Sequence, residues 1–453
     1  MNRRDFIKAG TGAFFIASAP RVFGAMAPSN RVRLAIVGCR EDGRGMEVVR
    51  AAMLVPGLEI SVVCDVDSRA MDYAADWLVR QGRPAPVKEK YFRKVLEMKD
   101  LDGVISETPD HFHAYSAVMA MRAGKHVYVE KPCAFCPEEC AVIFDTWKRT
   151  RMVFQQGSQR RSIGVYYDIL KEIRSDATLL GTPVLGKCWY ATDRKPIGNG
   201  KVGAPPQWLD WDLWQACAPR EDYRDNVVHY NWHWFRRWGT GECGNNSVHT
   251  VDMARWFLGV DRPERTVVSS GRNFIPRSDD WQFYDTMQAV WHFPGGQTIT
   301  WDCNCCCESA PLRNWFAGTL VYGSNGNALE MLLGKAQIRL LDPKGKVLRE
   351  WTQPETDLTA ENKQAAGNRT GGGTLDTTIQ HLDNFLACIR DNTPEKAAAN
   401  AEIGTKSTYL ALVANVASDL GGVVRTDPAT GAPLDAAAKN LWTRDYAKGW
   451  ELA

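Results

Sequence analysis

Lys131 and His249 are the two side chains whose types and settings could move a proton on and off an oxygen. Lys131 stands in Ala123–Pro132, where a helix end, a glycine cap at Gly124 and a β-rich run from His126 lead into Glu130-Lys131-Pro132. Proline cannot continue a central ladder and pushes the residue before it out of the helical region. Lys131 is therefore expected at the carboxyl end of a strand. His249 lies in the glycine-rich stretch Gly239 to Asp252, which runs into a helix ending near Leu258 with Gly259 as its cap. Asn245, His249 and Asp252 are spaced i, i+4 and i+7, which predicts one shared helix face. A histidine of near-neutral pKa takes a hydroxyl proton, and a lysine on the same oxygen steadies the charge left behind. Asn245 and Asp252 complete this candidate catalytic set.

Such residues need a scaffold that brings distant segments to one edge. Thr108-Pro109-Asp110-His111-Phe112-His113 follows a predicted strand, Gly103–Ser106, and opens a helix over His113–Ala123. Two successive strands thus deliver polar tips to one edge, and in an open α/β sheet ligands bind at that edge. A third tip precedes them. The apolar run Arg33–Val37 ends in Gly38, and Arg40, Gly43, Arg44 and Gly45 follow, with a helix from about Arg44. A strand, a glycine turn and a helix seat a pyrophosphate on backbone N–H groups. The spacing is two residues longer than the usual dinucleotide fingerprint, and Arg40 stands where its second glycine is expected. A second strand, Glu59–Cys64, ends at Asp65, 20 residues after Gly45. A carboxylate there accepts the adenine-ribose hydroxyls. It would repel a 2′-phosphate, so NAD is the expected cofactor, while Arg69 close by leaves room for NADP.

The pair TPDHFH and AGKHVYVEKP resembles the glucose–fructose oxidoreductase / inositol dehydrogenase (Gfo/Idh/MocA) family, over roughly Arg31 to Leu420. The resemblance implies an α/β chain with an N-terminal doubly wound Rossmann domain, residues 31–156. A C-terminal α+β domain with a large open, mostly antiparallel sheet follows, residues 157–453. It implies NAD(P)-dependent hydride transfer to or from the hydroxyl or keto group of a sugar, cyclitol or glycoside. Thr108, Pro109, His113, Glu130 and Lys131 would join the glycine loop and Asp65 in holding the dinucleotide. The family carries an aspartate four positions before its histidine; here that position is Asn245. An amide removes a charge that would raise the histidine pKa and orient its ring. Asp252 or Lys131 would then share that role. A second activity within the superfamily is NAD-dependent glycoside hydrolysis, similar to the α-N-acetylgalactosaminidases. It oxidises C3 transiently, eliminates the aglycone and returns the hydride. A dimer or tetramer of like chains is a further implication.

The remainder of the chain sets the context. With 453 residues, 24% charged and a formal net charge of +2, it has the length for two or three domains and no basic cluster suited to nucleic acid. Asn2-Arg3-Arg4-Asp5-Phe6-Ile7-Lys8, the apolar stretch Ala9–Ala19 and small residues near Ala25 read as a twin-arginine signal peptide over residues 1–27, hence export to the periplasm. The apolar stretch is too short to span a bilayer, so no stable membrane insertion is expected. No metal site is expected from Cys133, Cys136 and Cys140, because Pro137-Glu138-Glu139 reads as a helix first turn. The cluster Cys303, Cys305, Cys306 and Cys307 reads as buried thiols, although 13 cysteines in an exported chain would allow some disulfides. Tryptophans crowd the region from Trp189 to Trp256. Tryptophan faces stack on the C–H faces of sugars, which makes Trp232 and Trp234, with Arg160 after the closing strand, candidates to bind substrate.

Overall fold

The computed structural model describes residues 31–309, 312–335, 337–353 and 374–452. The segment read as a signal peptide and the polar stretch 354–373 lie outside the described residues. In the first half, strands and helices alternate: β1 Val32–Val37, α1 Arg44–Ala52, β2 Leu58–Cys64, α2 Ser68–Arg80, β3 Val87–Lys88, α3 Phe92–Glu97, β4 Gly103–Ser106, α4 Asp110–Arg122, β5 His126–Val129, α5 Pro137–Thr150 and β6 Phe154–Gln156. Their sheet is wholly parallel, in the order β3-β2-β1-β4-β5-β6. Strands buried on both faces need continuous apolar side chains, and β1, β4 and β5 supply them. The order reverses between β1 and β4, which opens a crevice beyond their carboxyl ends.

The second half begins with α6 Gly164–Ser175, α7 Ala177–Leu180, β7 Pro183–Ala191, α8 Trp211–Gln215 and α9 Val248–Leu258. The strands β8 Arg265–Gly271, β9 Thr286–His292, β10 Thr298–Asn304, β11 Ala317–Gly323, β12 Ala328–Leu332, β13 Gln337–Leu341 and β14 Val347–Thr352 follow, then α10 Thr374–Asp391, α11 Ala401–Asp419 and β15 Val423–Arg425. Nine strands make one sheet, β14-β13-β12-β11-β7-β10-β9-β8-β15. Only the β7–β10 pair is parallel. In β10 the alternation is clean: Ile299, Trp301 and Cys303 are buried while Thr298, Thr300 and Asp302 are half-buried.

The two halves share a core. Leu382, Phe385 and Leu386 of α10 pack with Val48 and Val49 of α1, and α11 lies against α5. The Gln156 N–H donates to Ala399 O at 2.9 Å, and the Thr408 hydroxyl reaches Gln156 Oε1 at 2.8 Å. Among the described residues no helix is long and apolar enough to cross a membrane. All thirteen cysteines are free thiols, eleven of them buried, so the allowance for disulfides is corrected. The eleven buried ones pack as small apolar side chains, whereas Cys306 and Cys307 of the cluster expected to be buried are half-buried.

Candidate active site

The first turn of α1 opens on the crevice. Gly43 stands before it and no side chain caps its N–H groups. Gly38 holds φ +85°, and a Cβ there would lie 2.5 Å from Glu107 O. A Cβ on Gly45 would lie 1.9 Å from Gly38 O, so only glycine lets this turn close. Asp65 ends β2 with one oxygen accepting from Cys39 N at 2.8 Å and the other from Asp67 N at 3.0 Å. Each oxygen keeps a lone pair for a ribose hydroxyl. Burial raises the Asp65 carboxyl, against the pull of those two N–H groups. Gly38, Arg40, Gly43, Arg44, Gly45, Asp65, Thr108, Pro109, His113, Glu130 and Lys131 all line one cavity of about 1220 Å³. An uncapped helix start, a glycine cradle and a carboxylate at the next strand's end fit a dinucleotide.

Two residues of this group play structural parts. His113 is buried, with one ring nitrogen 2.7 Å from Thr108 O and the other 2.7 Å from Pro132 O, so it ties the β4 tip to the β5 tip. Arg44 spans the floor, donating to Glu130 Oε1 at 3.0 Å, Glu47 Oε2 at 3.1 Å and Thr378 Oγ1 at 3.1 Å. Burial would raise the Glu130 carboxyl, but Arg44 and then Lys131 overcome it and hold it below the ordinary range. Arg69 is engaged elsewhere. Its Nε and Nη2 donate to Asp67 at 3.2 and 3.0 Å, and its guanidinium stacks 3.4 Å from the Trp208 ring centre. The opening that Arg69 gave to NADP is thereby narrowed.

On the far side of the cavity a π-helical turn, Cys243–Ser247, precedes α9. Such turns insert one extra residue per hydrogen-bonded loop and recur at functional sites. Lys131 Nζ crosses from the β5 tip and donates to Asn245 O at 2.7 Å and Asn245 Oδ1 at 2.9 Å. Burial lowers the Lys131 ammonium despite Glu130, Asp110 and Glu242. His249 lines the same cavity. Burial, and next the Lys131 charge, push its pKa down to about 3. The expectation of a near-neutral pKa for His249 is corrected: burial lowers it first and the Lys131 charge next, and Asn245 supplies no carboxylate to offset them.

Asp252 does not join them. It is buried away from the cavity in a bidentate pair with Arg161, 2.8 Å on each arm, and also accepts from Ser407. The i, i+7 face predicted for a regular helix is lost: Asn245 stands in the π turn, whereas Asp252 belongs to α9. Trp234 is likewise corrected to a core residue, stacked on Trp281 at 3.9 Å. Trp232 does line the cavity, its ring stacked on His233 at 3.6 Å. Arg160 lines it too, donating from Nη2 to Leu332 O at 2.7 Å while Nη1 is buried without a partner among the described residues.

Sequence reasoning missed Glu107, Tyr190, Tyr230, Trp315 and Phe316, all on the cavity wall. Glu107 alone carried a signal, as a charged residue directly after an apolar strand.

The profile described as "Oxidoreductase family, NAD-binding Rossmann fold" matches residues 32–158, and "GFO/IDH/MocA C-terminal domain" matches residues 212–328. Together they cover more than half of the chain, which belongs to the GFO/IDH/MocA oxidoreductase family. A glycosyl hydrolase family 109 protein of Shewanella pealeana is 33% identical over 174 residues, 33% of this chain and 38% of the relative. An α-N-acetylgalactosaminidase of Shewanella oneidensis is 36% identical over 140 residues, 30% of each chain. The chain thus matches well under half the length of these curated relatives. In fold it is similar to levoglucosan dehydrogenase in complex with NADH and levoglucosan, with TM-score 0.61 and 17% identity over 86% of this chain and 98% of that one. It is similar also to myo-inositol 2-dehydrogenase from Lactobacillus plantarum, with TM-score 0.60 and 17% identity over 88% and 100%.

Proposed function

We propose that the protein is an NAD-dependent oxidoreductase that moves hydride to or from the hydroxyl or keto carbon of a sugar, cyclitol or glycoside. The observation that carries this reading is the meeting of Lys131 and His249 in the cavity that also holds the glycine turn and Asp65. Bound nicotinamide would supply the hydride acceptor. The chain's own part is to hold the substrate oxygen and move its proton. Lys131, whose three donors include two spent on Asn245, has one left for the substrate oxygen. His249 is neutral at physiological pH and so offers a ring nitrogen that accepts. Trp232, Tyr190 and Tyr230 give flat faces for a ring substrate, and Arg160 a donor for its hydroxyls.

A glycosidase reading is supported by the family 109 relatives, whose similarity lies in a limited stretch of the chain. One incubation separates the two. An oxidoreductase given NAD and substrate accumulates NADH and a keto product. A glycosidase returns the hydride, releases aglycone and, in deuterated water, places deuterium at C2. Stoichiometric aglycone with C2 deuteration and no lasting NADH would overturn the first reading. We also propose export by the twin-arginine route and assembly into a dimer or tetramer. Arg3→Lys with Arg4→Lys should strand precursor in the cytosol, and a normal export rate in that variant would refute the signal. A monomer in sedimentation would refute the assembly.

A further inference from the structure

The floor of the cavity contains a carboxyl group that the reaction does not use. Glu107 follows β4 directly, and its backbone N–H donates to Val37 O at 2.8 Å, which fixes the residue beside Gly38 at the switch point. Both its carboxyl oxygens are buried and have no hydrogen-bond partner among the described residues. A buried ionised carboxylate without donors is costly, and a neutral acid is the cheaper state. The groups around it favour that state on balance. Arg44 and Lys131 are cations, but the Arg44 guanidinium donates to Glu130 at 3.0 Å and the Lys131 ammonium donates to Asn245 at 2.7 and 2.9 Å. Glu47 on α1 is a further anion bonded to Arg44, and Tyr128 on β5 lies close by. Burial, and next the Glu130 charge, lift the Glu107 carboxyl well above its ordinary range, while Arg44 and Lys131 only moderate the shift.

A dinucleotide brings two negative charges of its own to the turn at Gly38, where an added Cβ would lie 2.5 Å from the backbone oxygen of Glu107. We propose that Glu107 is a specificity residue for the dinucleotide: it lies under the cofactor as a neutral carboxylic acid, and cofactor binding is therefore linked to one proton on this side chain. The inference rests on the dinucleotide reading of the cavity. Its sign follows from charge. An ionised Glu107 would add a negative charge beneath an anionic ligand, so affinity is full while the carboxyl keeps its proton and is lost as pH rises through its raised pKa.

The test is NAD binding to the apo form of the full-length chain, by calorimetry in buffers of different ionisation enthalpy, from about pH 6 to about pH 9. The wild type should lose up to about tenfold affinity per pH unit on the alkaline side, with uptake of up to about one proton on binding there. Glu107→Gln keeps a neutral donor of the same shape and should bind NAD within about twofold of the wild type at pH 6, with no proton uptake and a flat profile. Glu107→Ala, which removes the group altogether, should be equally flat. The same alkaline loss in both variants, or a loss of tenfold or more at pH 6 in Glu107→Gln, would overturn the assignment. A wild type that binds no NAD at any pH would instead overturn the dinucleotide reading.

Discussion

Lys131 and Asn245 are joined twice, the ammonium donating to the backbone oxygen of Asn245 at 2.7 Å and to its side-chain oxygen at 2.9 Å. One residue of the π turn therefore both positions the lysine and leaves it without a carboxylate partner. The lysine is half-buried, and its charge is part of what keeps His249 unprotonated. The two candidate acid–base groups are coupled by charge.

Replacing that amide by a carboxylate should change both titrations. Asn245→Asp adds a negative charge beside Lys131, close to His249, and should move the His249 pKa upward from about 3. A histidine accepts a proton only above its pKa, so the acid limb of kcat/KM should move to higher pH in the variant. Ring-resonance titration of His249 by NMR checks the shift directly. An unmoved titration would separate Asn245 from the histidine's electrostatics.

His249→Ala and Lys131→Met should each lower turnover by about 10²–10⁴-fold, the usual scale for a positioned proton-transfer group. NAD affinity should fall far less in His249→Ala than turnover does, because the histidine stands across the cavity from the glycine turn. Full turnover in either variant would remove that residue from the chemistry.

Asp252 should matter for stability alone. Asp252→Asn leaves Arg161 buried without its anion, a change expected to cost about 3–5 kcal/mol. Burial would raise the Asp252 carboxyl, but Arg161 overrides it and holds the group below its ordinary value. The pair's contribution is thus complete above the unfolded-state pKa of about 3.9, and is lost as pH falls through the lower folded value. Chemical denaturation at neutral and acid pH should show the variant's deficit shrinking in acid. A folded Asp252→Asn protein with wild-type stability and impaired turnover would return Asp252 to the active site.

Legibility followed local pattern. The parallel sheet, its glycine turn and the strand tips at Thr108 and Lys131 were readable because buried strands, Gly38 and Pro132 each leave a mark of their own. In the second domain β7, β8, β9, β10 and β13 carry stretches of alternation that the sequence shows. β11 and β12 were not, because Ala317–Val321 is buried on both faces and Trp189, Leu320 and Leu341 cover the outer one. A strand covered on both sides carries no alternation. At the site, Asn245 and His249 both line the cavity, whereas Asp252 pairs with Arg161 outside it, and neither that pairing nor the π turn has a signature in residue spacing. Trp234 failed because a tryptophan that stacks on another looks, in sequence, like one that stacks on a ligand.

Cofactor choice can be argued from three residues at the end of β2. Asp65 presents a carboxylate where adenine-ribose hydroxyls would bind, and a 2′-phosphate there would meet like charge. A phosphate needs a cation, and Arg69 is the nearest one in sequence, yet it is doubly bonded to Asp67 and stacked on Trp208. Asp67 also meets His229 at 2.9 Å, so the arginine is held by a carboxylate that is itself fixed from the second domain. NAD should therefore bind more tightly than NADP. Asp65→Ala should weaken NAD by about 1–3 kcal/mol, the scale of a lost hydrogen bond to a charged group, and weaken NADP less. It should not by itself create an NADP enzyme, because Arg69 stays occupied. Asp65→Ser with Asp67→Asn removes the repulsion and releases the guanidinium together, and should improve NADP affinity beyond the sum of the single changes. Direct titration of both nucleotides into the wild type, Asp65→Ala, Asp65→Ser, Asp67→Asn and the double variant reads the result. Undiminished NAD binding in Asp65→Ala would take Asp65 out of the ribose site, and simple additivity in the double variant would show that Asp67 does not hold Arg69 back.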